Sequence, residues 1–76
     1  MNDAQAAIMS ELCVELGFCL TPERDWNWFA EQVVDSPEAF VRAVYLGEGL
    51  DPDGGERAGL KAAVREYGVR YLEAGQ

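Results

Sequence analysis

The chain predicts an all-α fold: a bundle of four short helices over about residues 3–16, 22–35, 37–47 and 53–73. Two observations carry that prediction. The first is a start signal repeated at each of the three prolines: Thr21-Pro22-Glu23, Ser36-Pro37-Glu38 and Asp51-Pro52-Asp53. In each, a side-chain oxygen stands where it can cap free backbone N–H groups. Proline follows where its missing N–H costs nothing, and an acid follows where the helix dipole favours it. The second is apolar spacing at helical period between these signals.

Helix 1 places Ile8, Met9, Leu12, Cys13 and Leu16 on one face, with Glu11 and Glu15 outside it. Gly17 suits the left-handed residue that ends a helix. Phe18, Cys19 and Leu20 then form an apolar connector expected to tuck under helix 2. Helix 2 places Trp26, Phe29, Ala30 and Val33 inward, with Val34 at the edge. A strand over Trp26–Val34 is the alternative, but period-two alternation fails at Phe29-Ala30. Helix 3 turns Phe40, Val41 and Val44 inward, with Tyr45 beside them; Gly47 and Gly49 end it, and Leu50 is expected to pack back. Helix 4 is the longest and is expected to be the central packing element. Its stripe is Leu60, Ala63, Val64, Tyr67 and Tyr71. Gly59 and Gly68 each cost about 1 kcal/mol in a helix interior, which suggests close helix–helix approach. Glu66–Arg70 and Asp53–Arg57 have the i,i+4 spacing of ion pairs.

Seventy-six residues read as one small domain, 1–76, whose core is marginal by itself. There is no uncharged run long enough to span a membrane and no basic n-region of a signal peptide, so the expected location is cytoplasmic. Cys13 and Cys19 match no zinc or redox spacing. Two reduced thiols are the expectation, with a disulfide across Gly17 as the alternative.

Charge is distributed unevenly. Residues 1–41 hold eight acids against Arg24 alone, a net of −7; residues 42–76 hold six acids against five bases, a net of −1. Such a surface repels nucleic acid and anionic lipid, and it attracts basic proteins. Solubility alone is the competing account of the acidity.

Three places are candidates for a site. Trp28 lies about 200° around helix 2 from Trp26, so the two cannot face one core. Asp25, Glu31, Gln32 and Asp35 surround it. An aromatic ring among carboxylates suits an Arg or Lys of a partner. Asp25, Trp28, Glu31 and Asp35 are therefore the expected partner-binding residues; the alternative is that Trp28 fills a gap over the connector or helix 1. Arg57, Lys61 and Arg65 form a basic stripe at spacing four, the expected contacts of a homodimer, or else a solvated or internally paired flank. Asp51-Pro52-Asp53-Gly54-Gly55-Glu56 has two calcium-loop positions but lacks the glycine at the sixth and the glutamate at the twelfth. It reads as a capped helix start.

Catalysis is not expected. The chain has no histidine, only two serines of which Ser36 serves as a cap, and no basic residue close in sequence to Cys19. No metal or cofactor is expected either. The expected function is a small acidic protein-binding module, regulatory or inhibitory toward a basic or nucleic-acid-binding protein, since an acidic bundle imitates phosphate. A homodimeric adaptor and a helical domain with an interhelical ligand pocket lined by tyrosines and tryptophans are the alternatives.

Overall fold

A computed structural model describes residues 1–20, 25–54 and 58–76, with Ala58 described by its backbone alone. Within them the chain forms α1 (Asp3–Leu16), α2 (Asp25–Glu31), α3 (Pro37–Gly47) and α4 (Ala58–Ala74), an all-α bundle. Strands do not occur among the described residues. No helix there is long and apolar enough to cross a membrane.

The start of α1 is fixed by a capping box. Asn2 accepts from the Gln5 backbone N–H at 2.7 Å, and the Gln5 side chain accepts from the Asn2 N–H at 3.0 Å. Two otherwise unpaired donors are satisfied reciprocally. Ile8, Met9 and Leu12 are buried, while Cys13 and Leu16 are partly so. Gly17 ends the helix at φ +79°, its N–H donating to the Cys13 carbonyl. The chain turns back there, and Cys13 and Cys19 form a disulfide with their Cα atoms 4.3 Å apart. The expectation of reduced thiols is thereby corrected: the left-handed turn brings the two cysteines together.

Phe18 and Leu20 of the connector are buried, between α3 and the tryptophans of α2, while Cys19 is exposed. Phe18 stacks on Tyr45 with ring centroids 5.4 Å apart, and Leu20 lies against Gly47. The Leu20 carbonyl accepts the indole N–H of Trp26 at 3.1 Å. The Thr21-Pro22-Glu23 start signal lies outside the described residues.

The second helix is shorter than its apolar spacing predicts, closing at Glu31. Gln32 donates its backbone N–H to Phe29 and its side-chain amide to the Trp28 carbonyl at 3.1 Å, satisfying carbonyls at the helix end. The chain then leaves helical geometry, which turns Val33 outward at 80% exposure and packs Val34 against the core instead. Ala30 is exposed as well.

Helix α3 begins as its signal predicts, with the Ser36 hydroxyl accepting from the Ala39 N–H. It supplies Phe40, Val41, Ala43, Val44 and Tyr45 to the core. Gly47 belongs to the helix; Gly49, at φ +75°, is the left-handed residue after it. Leu50 folds back only through its backbone, donating to the Tyr45 carbonyl at 2.8 Å while its side chain stays exposed.

Asp51-Pro52-Asp53 forms a turn rather than the start of α4. Asp51 accepts from the Asp53 N–H at 2.9 Å, and the Gly54 N–H donates to the Asp51 carbonyl. A short polar side chain that can bond the backbone two residues on favours this closed turn over a cap. Helix α4 packs on both α1 and α3, and α2 packs on α3. The position of α4 is therefore central, although α3 contributes more of the buried side chains. Phe29, Phe40 and Tyr71 join α2, α3 and α4 in one aromatic cluster, with centroids 5.2–5.6 Å apart.

Candidate functional site

Ion pairs among the described residues join α3 to α4, α3 to the turn before α4, and α1 to α4. Arg65 pairs with Glu38 at 2.8 Å and Arg42 with Asp53 at 3.3 Å, tying α3 to α4 and to the turn before it. Arg70 pairs with Glu11 at 2.5 Å across α1 and α4, not with Glu66 as its spacing predicts, and stands over the Tyr67 ring. Lys61 donates to the carbonyls of Pro52 and Gly54 and lies over the ring of Tyr45. Asp53 is thus held by Arg42; the predicted partner Arg57 lies outside the described residues.

These contacts leave exposed acids among the described residues without an ion pair on α1, α2 and the segment after α2, and also at Asp51 and at Glu66 and Glu73 of α4. Among the described residues Glu15, Glu31 and Asp35 are exposed and make no ion pair. Two strongly exposed apolar side chains adjoin them in sequence: Val14 beside Glu15, and Val33 between Glu31 and Asp35.

The expected partner-binding residues are placed unequally. Glu31 and Asp35 are open to solvent, but Asp25 is partly buried and has a partner within the chain. Trp28 is partly buried too. Its ring edge comes within 3.3 Å of where a Gly47 β-carbon would stand, beside Leu20. The tryptophan therefore covers the connector and the end of α3, and only part of the ring meets solvent. Trp26 and Trp28 are both partly buried and both pack against the one core cluster, which corrects the expectation that they cannot face one core; the spacing did not show that Gly47 opens room for Trp28.

The basic stripe is partnered internally at Lys61 and Arg65. It borders a cavity of about 450 Å³ between the first halves of α3 and α4. Small and charged residues line this space, not the tyrosines and tryptophans expected of an interhelical pocket. Glu38 sits at its edge, its carboxyl held below the usual glutamate range by its own backbone N–H and by the Arg65 hydrogen bond. On the other side of the core, burial pushes the Tyr71 phenol up. Among the described residues two buried polar atoms lack a hydrogen bond, the Tyr45 hydroxyl and one Glu48 carboxylate oxygen. Among the described residues no group of three Cys, Asp or Glu side chains is gathered to hold a metal.

No protein-family model matches the chain, and no curated protein and no solved structure matches it either.

Proposed function

We propose that this protein is a small acidic binding module that regulates or inhibits a basic protein, docking through exposed acids of α1, α2 and the segment after α2. One observation carries the reading. Every described base is engaged on the α3–α4 side or across α1–α4, so Glu15, Glu31 and Asp35 keep their charge unopposed beside exposed Val14 and Val33. Carboxylates around exposed apolar side chains suit a partner that presents Arg or Lys beside apolar surface, and the charge speeds encounter. Nuclease-like or other phosphate-binding surfaces have that character, because an acidic helical face presents oxygens as a nucleic acid backbone does. Trp28, on α2 with Glu31, adds part of an aromatic ring, as a rigid contact seated against Gly47.

The test is affinity capture at low and high salt, with wild type and with Glu31→Lys/Asp35→Lys. Both positions are exposed, so the reversal leaves the core alone. A basic protein that binds directly at about 50 mM salt, is released at about 500 mM, and is lost on reversal supports the reading. Binding indifferent to both would sink it. The homodimer reading through Arg57, Lys61 and Arg65 has weaker support, because Lys61 and Arg65 are already engaged within the chain.

A further inference from the structure

The cavity between α3 and α4 is independent of the exposed acids of α1 and α2. Ala39, Val41, Pro52 and Ala62 give it an apolar lining. Arg42, Lys61 and Arg65 border it together with Glu38 and Asp53. The turn at 51–54 forms one wall. Lys61 fastens that wall to α4, and Arg42 fastens it to α3.

We propose that this cavity binds a small organic monoanion: an apolar body carrying one carboxylate. Its volume falls within the range of small-ligand sites, roughly 300–1,000 Å³, and a mainly apolar lining with a few polar groups is their usual composition. Half of the chain's six bases gather here. Three cations against two carboxylates leave a local net of +1 in a chain whose net is −8.

Donors remain for a ligand. Lys61 has three N–H groups and spends two on carbonyls; Arg42 and Arg65 each have five and spend one on a carboxylate. Both arginine pairs are exposed, with side-chain exposures between 48% and 77%, so each is weak enough to share its guanidinium with an incoming carboxylate. A dianion such as a phosphate monoester fits less well: it exceeds the local charge and meets Glu38 and Asp53. A neutral body of the same shape leaves the remaining donors unanswered.

The experiment is an NMR titration of the isotope-labelled whole chain with octanoate, octanamide and octyl phosphate in parallel. Octanoate is expected to give saturable amide shifts centred on residues 38–42, 52–54 and 61–65. Octanamide should bind about tenfold more weakly, the usual value of a charge-assisted contact. Octyl phosphate should bind no more tightly than octanoate. Ala62→Trp, which fills the cavity from an exposed position, should abolish the shifts, and Arg42→Gln/Arg65→Gln should weaken them about tenfold. The acid–amide contrast on wild type decides the matter even if a variant fails to fold. No saturable response to octanoate, shifts centred elsewhere, equal binding of the amide, or tighter binding of the phosphate would each overturn the proposal.

Discussion

Gly68 of α4 and Phe40 of α3 approach so closely that a β-carbon on the glycine would stand 3.0 Å from both the β-carbon and a ring carbon of the phenylalanine. Phe40 is wholly buried against Phe29 and Tyr71 and has nowhere to retreat. Gly68→Ala is therefore expected to destabilise the fold by about 1–3 kcal/mol, outweighing the helix preference of alanine. Gly59 has nothing within 4 Å, so Gly59→Ala should be neutral or stabilising by up to about 1 kcal/mol. Urea unfolding of the two variants checks both signs. Equal effects would mean that α3 and α4 do not approach as described.

The disulfide closes a short loop, its cysteines six positions apart in sequence. A loop of that size constrains the unfolded chain by about 2 kcal/mol. Reductant should lower the urea midpoint of wild type accordingly and leave Cys13→Ala/Cys19→Ala unmoved. Phe18 and Leu20 stay buried through their own packing, so the reduced chain should keep its helical circular dichroism. A wild-type midpoint indifferent to reductant would remove the cross-link from the account.

Acid and alkali should each remove a separate contribution. Glu38 titrates below its usual value in the folded state because its own backbone N–H and Arg65 favour its charged form. Its contribution is present above the ordinary glutamate value, about 4.3, and is lost as pH falls through the lower folded value. Glu38→Gln should flatten that part of the acid limb. Tyr71 is shifted the other way, by burial. Its contribution is present below about pH 10 and is lost as pH rises through the raised folded value, and Tyr71→Phe should remove that decline. Stability measured against pH for the two variants separates the limbs.

Phe29 and Val33 lie four residues apart and share a face on any continuous helix, yet they should behave oppositely. Phe29 is fully buried; Phe29→Ala should cost about 3–5 kcal/mol, enough to unfold a domain of this size. Val33→Ala should change stability by less than about 0.5 kcal/mol. Thermal denaturation of the pair measures it. A large loss at Val33 would place the end of α2 later in the chain.

That contrast marks where sequence reading succeeds. The spans of α1 and α3 follow from signals within a few residues: Ser36-Pro37, Gly17, and apolar spacing between them. Asn2 and Gln5 also advertise a capping box in sequence. The end of α2 depends on the Gln32 side chain reaching back to Trp28, which periodicity cannot register. Asp51-Pro52-Asp53 carries the same letters as a helix start but closes on itself. Arg70 chose Glu11, fifty-nine residues away, over Glu66 one turn away. In the candidate sites, Asp35 is exposed beyond the end of α2, whereas exposure of Glu31 was legible from helix geometry. The partial burial of Trp28 was not, since it depends on the absence of a side chain at Gly47, and neither was the cavity, which depends on how α3 and α4 cross.

The cap of α1 reaches beyond its own helix. Asn2 also donates its side-chain amide to the Ala74 carbonyl at 2.8 Å, and Gln5 donates to Tyr71. The polypeptide therefore enters and leaves the bundle at one spot, as a loop enters and leaves its base. Such a unit can be threaded into the surface of another protein without prising its host apart, or re-circularised with a brief linker and cut open at the 51–54 turn. Cargo attached at either end would emerge from the same corner, well away from neither the other end nor its cargo, which makes this bundle a natural place to bring two appended partners side by side.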